Sequence, residues 1–135
     1  MSLDDESRAI VVAYRLEKAY EDIKTVRVCA ANNMWNAAGN RLYYAAYHAA
    51  SALLLQNGLE TRSHAGIRTL LGQHFVKTGI FSHEEGRLYS ILFEKRQLCD
   101  YSDALDLTAE DVLPRIAPTL AFIRKIDSLL TNNNT

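Results

Sequence analysis

The sequence is poor in the residues that kink or cross-link a chain. Proline occurs twice, at 114 and 118, and cysteine twice, at 29 and 99, in 135 residues. The cysteines lie far apart with no metal-ligand spacing, which points to reduced thiols packed as small apolar groups in a cytoplasmic protein. No apolar run approaches the ~20 residues of a membrane span, and the opening MSLDDE is acidic, unlike a signal peptide. Net charge is almost absent as well: 15 basic against 16 acidic side chains leave -1. Nothing global therefore argues for nucleic acid or a membrane, and any basic site must be local. Strand-like alternation and internal repeats are missing, and no two histidines stand at ligand spacing on one helix face, so neither a metal nor a cofactor is expected.

What is present is helix. The stretch NAAGNRLYYAAYHAASALLLQ, Asn36 to Gln56, is rich in Ala and Leu and has no proline. On a helical wheel Leu42, Ala45, Ala46, Ala49, Ala50, Leu53 and Leu54 cover more than half the circumference. The narrow remainder holds Asn40, Arg41, Tyr44, His48 and Ser51, stacked along one side. Arg41 is the only charge, whereas a surface helix carries many. The stretch reads as a central, largely buried helix with one polar seam.

The other elements follow in order. Asp4 and Asp5 open a first helix that runs to about Ala31, where Ile10, Ala13, Tyr14, Leu16, Ala19, Tyr20, Ile23, Val26 and Ala30 recur at helical spacing, interleaved with Glu17, Lys18, Glu21, Asp22 and Lys24. Asn33 is placed to cap the second helix, which Trp35 opens, with its ring in the core or against a partner, and Gly58 ends. Ser63 caps a short third helix, His64 to Lys77, closed by Gly79, in which Ile67, Leu70, Leu71, His74 and Phe75 would face inward. Ser82 and Glu85 form a capping box for a fourth helix reaching about Tyr101, its apolar side Leu88, Ile91, Leu92, Leu98 and Cys99. Thr108 and Asp111 start a fifth, lined by Ile116, Leu120, Ile123, Ile126 and Leu130. A bend is expected there at Pro114 and Pro118. Residues 1–131 then form one all-α domain, an antiparallel up-and-down four-helix bundle with an additional short helix, and 132–135 a frayed tail.

Chemistry concentrates on two seams. Tyr89, Phe93, Arg96 and Asp100 fall at i, i+4, i+7 and i+11 of the fourth helix. Arg96 and Asp100 pair with the base first, the weaker order for helix support, and an acid near a helix C-terminus opposes the dipole. The pair is either a partly buried structural ion pair or a site in which Asp100 orients Arg96 toward a phosphate or carboxylate. His48, on the central seam with Asn40 and Tyr44, either joins that site or holds the bundle in register. His64, in the first turn of the third helix, either binds an anion or only caps. His74 and His83 read as ordinary interface and helix-start residues. Arg62, Arg68, Lys77, Arg87, Lys95 and Arg96 crowd the middle of the chain, but Glu60, Glu84, Glu85 and Glu94 interleave with them, as on a solvated mixed surface.

Together NRLYYAAYHAASALL (Asn40 to Leu54), SHAGIR, HFVKTG and RQLCDY (Arg96 to Tyr101) resemble a HEPN domain. They are closest to small stand-alone bacterial and archaeal HEPN proteins with an R-Y-Y-A-x-[FY]-H-A-A helix and a late R-x-x-x-D-Y. The resemblance implies a helical bundle that dimerises through the seam-bearing faces. Many members are metal-independent ribonucleases with an R-x(4–6)-H motif; others partner nucleotidyltransferase proteins in toxin–antitoxin pairs, and some are noncatalytic. In the nucleases the Arg holds the scissile phosphate and the His helps activate the ribose 2′-OH, leaving a cyclic phosphate. Arg96 matches the Arg, but Tyr101 fills the His place and Asp103 the place of the following Tyr. A phenol near pKa 10 is a poor base at neutral pH, where an imidazole near 6.5 is suited. The resemblance therefore favours a dimeric binding or regulatory module that pairs with a nucleotidyltransferase and takes nucleotide or RNA at Asn40, Tyr44, His48, His64, Arg96, Asp100 and Tyr101. The alternative is a ribonuclease toxin using Arg96 with His48 or Tyr101.

Overall fold

Local chemistry sets where each helix begins. The computed structural model describes residues 4–101 and 106–132, the side chains of Tyr101 and Asn132 excepted. The side chain of Tyr101, all of Asp103 and the tail beyond Asn132 lie outside the described residues. Asp4 caps α1 (Asp5–Ala31) by accepting from the Ser7 amide at 2.7 Å. Ser63 caps α3 (His64–Leu71) through the Gly66 amide. Before α4 (His83–Tyr101) the Ser82 amide donates to Glu85 at 2.8 Å and the Glu85 amide to Ser82 at 3.1 Å, a complete capping box. The Asp111 carboxylate reaches back to the Thr108 amide at the start of α5 (Ala109–Asn132). Gly58 and Gly79 take the left-handed φ values of 73° and 84° that close their helices.

α2 (Trp35–Gln56) is the axis, in contact with α1, α3, α4 and α5. Ala38, Leu42, Tyr43, Ala45, Ala46, Ala49, Ala50 and Ala52 are all fully buried. Trp35 packs against this core. Polar ties across the helices fix direction. Arg15 donates to Ser51 and Arg41 to Asp22, so α1 and α2 are antiparallel. Asn36 lies by Cys99 while Tyr43 meets Phe93, so α2 and α4 are antiparallel too. Glu85 pairs with Lys125 and Lys95 with Asp111, which turns α5 back along α4. The result is the all-α, up-and-down bundle read from the sequence. Among the described residues no helix is long and apolar enough to cross a membrane.

Three local readings are corrected. Asn33 does not cap α2: it takes φ 57°, turning the chain, and Met34 occupies the cap position without a side-chain hydrogen bond. The third helix is not regular to Lys77. After Leu71 it opens into a π-helical turn, Gly72–Val76, closed by the Lys77 amide on the Gly72 carbonyl at 2.9 Å, and His74 is exposed. On α1 the buried face is Val12, Ala19, Asp22, Ile23 and Val26, and of its apolar pattern Ile10, Ala13 and Tyr14 are exposed. α4 buries Tyr89, Leu92 and Phe93 and leaves Leu98 exposed, so the line that leads to Arg96 is itself the packed face. α5 continues as a helix through Pro114 and Pro118.

A helix enclosed through alanines has no room to grow. Ala49→Leu adds three carbons at a site with 0% exposure, and overpacking of that kind costs about 1–3 kcal/mol. Urea unfolding should show a lower midpoint with the native helical circular dichroism retained. A midpoint equal to wild type would mean that α2 is not tightly enclosed.

Candidate functional site

The crossing of α2 and α4 brings a guanidinium against aromatic rings. Arg96 Cζ lies 5.3 Å from the Tyr43 ring centroid and 5.4 Å from that of Tyr44, within cation–π range. Its Nε is 3.0 Å from Asp100 Oδ2, yet the N–H is not aligned on any acceptor among the described residues. The Arg96 side chain is 13% exposed and that of Asp100 35%, so the pair sits in a hollow that water reaches. Arg96 is thus held by ring faces and one carboxylate, with N–H donors that meet no aligned acceptor among the described residues. A guanidinium so placed suits a planar anion.

α3 supplies an imidazole to the same hollow. A Cβ at Gly66 would run into the Thr61 and Ser63 side chains, so glycine lets the 61–63 loop close over the first turn of α3. That closure sets His64 on the aromatic cluster: its ring stacks on Tyr47 at 4.5 Å and 24°, and Nδ1 lies 2.6 Å from the Tyr43 hydroxyl. Burial, then the charge of Arg96, lowers the His64 pKa, which keeps the ring neutral at pH 7. Burial pushes the Tyr43 phenol up to about 12, so it stays protonated. The hydroxyl donates to Nδ1 in one tautomer, leaving Nε2–H as a donor; in the other it accepts from Nδ1–H and Nε2 carries a lone pair.

The remaining candidates fall on the other side of Tyr44. His48 is one turn further along α2, 6.0 Å from Tyr44 between ring centroids, and faces α1. There its Nε2 is 3.6 Å from Asp22 Oδ2, beyond hydrogen-bond distance. Burial, then Lys18, Arg41 and Arg15, pushes its pKa down to about 4. Asp22 is buried, and that burial raises its carboxyl pKa while Arg41, at 3.3 Å, opposes the shift. Asn40 accepts two hydrogen bonds from Arg41, at 2.9 and 3.1 Å, and Arg41 Cζ lies 4.8 Å over Tyr44. Lys18, Asp22, Arg41, Tyr44 and His48 line an open cleft of about 460 Å³ between α1 and α2.

The structure therefore gathers Arg96, Asp100, Tyr44 and His64 in one hollow and places Asn40 and His48 in the neighbouring cleft, with Tyr44 as the shared wall. Tyr43, Tyr47 and Asp22 were not singled out from the sequence, and Arg41 was read only as the one charge on the polar seam. Asp22 had a signal: it shares the i, i+3, i+4, i+7 line of Ala19, Asp22, Ile23 and Val26 that α1 buries.

Comparison with known proteins was made on this basis. The sequence model described as HEPN domain matches residues 12–128. A UPF0332 protein of Thermotoga maritima is 32% identical over 120 residues, 89% of this chain and 91% of its own length. A Methanocaldococcus jannaschii protein with the printed name "Putative toxin MJ0605" is 32% identical over 87 residues, 64% of this chain and 65% of that protein. A second from the same organism, "Putative toxin MJ0142", is 22% identical over 119 residues, 88% of this chain and 81% of its own.

The depressed His48 pKa has a consequence for stability. Unfolded, the ring takes a proton near 6.5; folded, only near 4. Between those values the unfolded state binds more protons, so stability present above about pH 6.5 is lost as pH falls toward 4, by at most ~1.4 kcal/mol per pH unit for one group. Asp22, with its raised pKa, acts in the opposite sense as pH falls. His48→Gln should flatten the loss of stability between pH 6.5 and 4, measured by urea unfolding. An unchanged slope would show that His48 titrates normally.

Proposed function

The chain belongs to the HEPN family, and from that membership we propose that it is a toxin–antitoxin-type HEPN module that takes a phosphate of RNA or nucleotide at Arg96. The carrying observation is the Arg96 guanidinium itself. It is 13% exposed, flanked by Tyr43 and Tyr44, and among the described residues its Nε–H has no aligned acceptor although Asp100 lies 3.0 Å away. The rings restrict its orientation without consuming its donors, which leaves the fork available to an anion. Toxin-named relatives support the class. In this reading the protein is a cytoplasmic homodimer that partners a nucleotidyltransferase-type protein.

One observation favours a second reading, metal-independent RNA cleavage. Tyr101 stands in the expected His place, but His64 brings a neutral imidazole to the same aromatic cluster as Arg96. With Arg96 on the phosphate and His64 Nε2 as base, the 2′-OH would be activated from α3. His48, turned toward α1, is less well placed for that step.

End-labelled RNA in EDTA, with wild type, Arg96→Ala, His64→Ala and His48→Ala, separates the readings. The binding module predicts intact RNA retained by wild type and His48→Ala. Its loss in Arg96→Ala should be about 10- to 100-fold, the 1.5–3 kcal/mol of a charged hydrogen bond. Cyclic-phosphate ends that vanish in both Arg96→Ala and His64→Ala would instead establish cleavage. RNA and nucleotide binding equal in wild type and Arg96→Ala would remove Arg96 from any function.

A further inference from the structure

A second cavity lies behind the hollow, on the far side of Tyr89. It encloses about 400 Å³ between α3, the π-helical turn, α4 and α5, and its walls include Leu71, Val76, Phe81, Tyr89 and Phe122. That volume lies within the range of small-molecule pockets, about 300–1,000 Å³, which combine apolar walls with a few polar groups. Phe81 and Phe122 stack on each other at 5.2 Å and 25°, and both line the cavity. The Tyr89 ring divides the two sites: it lines the cavity, yet its centroid is 6.0 Å from that of Tyr43. Its hydroxyl is buried without a hydrogen-bond partner among the described residues.

The rim is cationic. Arg68 and Arg87 both line the cavity. Arg68 Cζ rests 4.5 Å over the Phe93 ring, and its nearest carboxylate, on Glu94, is a loose 3.9 Å away. Arg87 is exposed and makes no ion pair or hydrogen bond among the described residues. Two guanidinium groups thus edge an apolar chamber with no carboxylate among its lining residues to neutralise them.

The backbone keeps the chamber open. The π turn inserts one residue into α3, a rare conformation that recurs at functional sites. Its Val76 leans onto α4 at Gly86, where a Cβ would come within 2.8 Å of Val76 Cγ2. Gly72, at the head of the turn, has helical φ and ψ of -61° and -48°, open to any residue, and a Cβ there would meet nothing within 4 Å.

We propose that this cavity is a second binding site, for a small organic anion: a ring-sized apolar body against Phe81, Phe122 and Val76, with one carboxylate or phosphate at Arg68 and Arg87. The site is independent of Arg96. Carboxylate and phosphate share the geometry that a guanidinium recognises, and the test separates them.

The probes are 1-naphthoate, 1-naphthyl phosphate and neutral 1-naphthamide, titrated into 15N-labelled full-length protein and followed by amide shifts. At least one anion should give saturable shifts at Gly72, Val76 and Gly86, and the tighter of the two identifies the preferred group. 1-Naphthamide should bind at least 10-fold more weakly. Arg87→Gln should weaken the anions about 10-fold while leaving the amide unchanged. Gly72→Leu and Ser90→Leu, which enlarge side chains on the cavity wall, should each weaken all probes, whereas Arg96→Ala should have no effect. Amide and anions binding equally, shifts confined to the His64 and Arg96 hollow, or full affinity in both filled variants would each overturn the proposal.

Discussion

Everything in this bundle follows from the enclosure of α2. Its alanines at 38, 45, 46, 49, 50 and 52 are fully buried, so backbones approach on several sides and a close-packed interior forms around small side chains. Such a helix has no solvated face on which to place tyrosine, histidine or arginine. Its polar groups must emerge where two neighbours fail to meet, and each must find a partner in a narrow gap. The seam is a by-product of packing before it is a site.

Tyr44 shows how the constraint becomes chemistry. Arg41 lies 4.8 Å from its ring centroid and Arg96 5.4 Å. Two like charges so near one ring repel, and the fold offsets this by giving each its own carboxylate, Asp22 for Arg41 and Asp100 for Arg96. The two pairs are not equivalent. Asp22 is buried and its contact with Arg41 meets hydrogen-bond geometry, whereas Asp100 is exposed and its contact with Arg96 is unaligned. Displacing Asp100 from Arg96 costs little, because water is at hand for the carboxylate; displacing Asp22 would strand a buried charge. Asp22 thus fixes Arg41 through a hydrogen bond, whereas Asp100 holds Arg96 by charge alone.

What was legible in the sequence was local. Ser63, Ser82 with Glu85, Gly58 and Gly79 each act within a few residues, and the structure places them where spacing put them. The enclosure of α2 was legible because alanine and leucine leave no alternative face. The inward faces of α1 and α4 were less so. On α4, apolar residues occupy both sides, and the choice of Tyr89 and Phe93 over Leu98 is made by shape against Tyr43 and Phe122. The π turn brings Val76 against Gly86, a contact between elements that no window along the chain contains. The site was half visible for the same reason: the i, i+4 relation of Arg96 and Asp100 is written within one helix, but the arrival of His64 depends on where α3 docks.

His64 matters because it separates what a motif encodes from what a pocket contains. A guanidinium and an imidazole four to six residues apart on one helix have a fixed separation. Here the imidazole comes from another element, and its link to the α2–α4 crossing is the Tyr43 hydroxyl at 2.6 Å. That phenol, held protonated by burial, can donate or accept, and its choice sets whether Nε2 offers a proton or a lone pair. A proton suits holding a phosphate, and a lone pair suits taking a proton from a 2′-OH. The direction of the Tyr43 hydrogen bond thus sets whether His64 Nε2 faces its surroundings with a proton or with a lone pair.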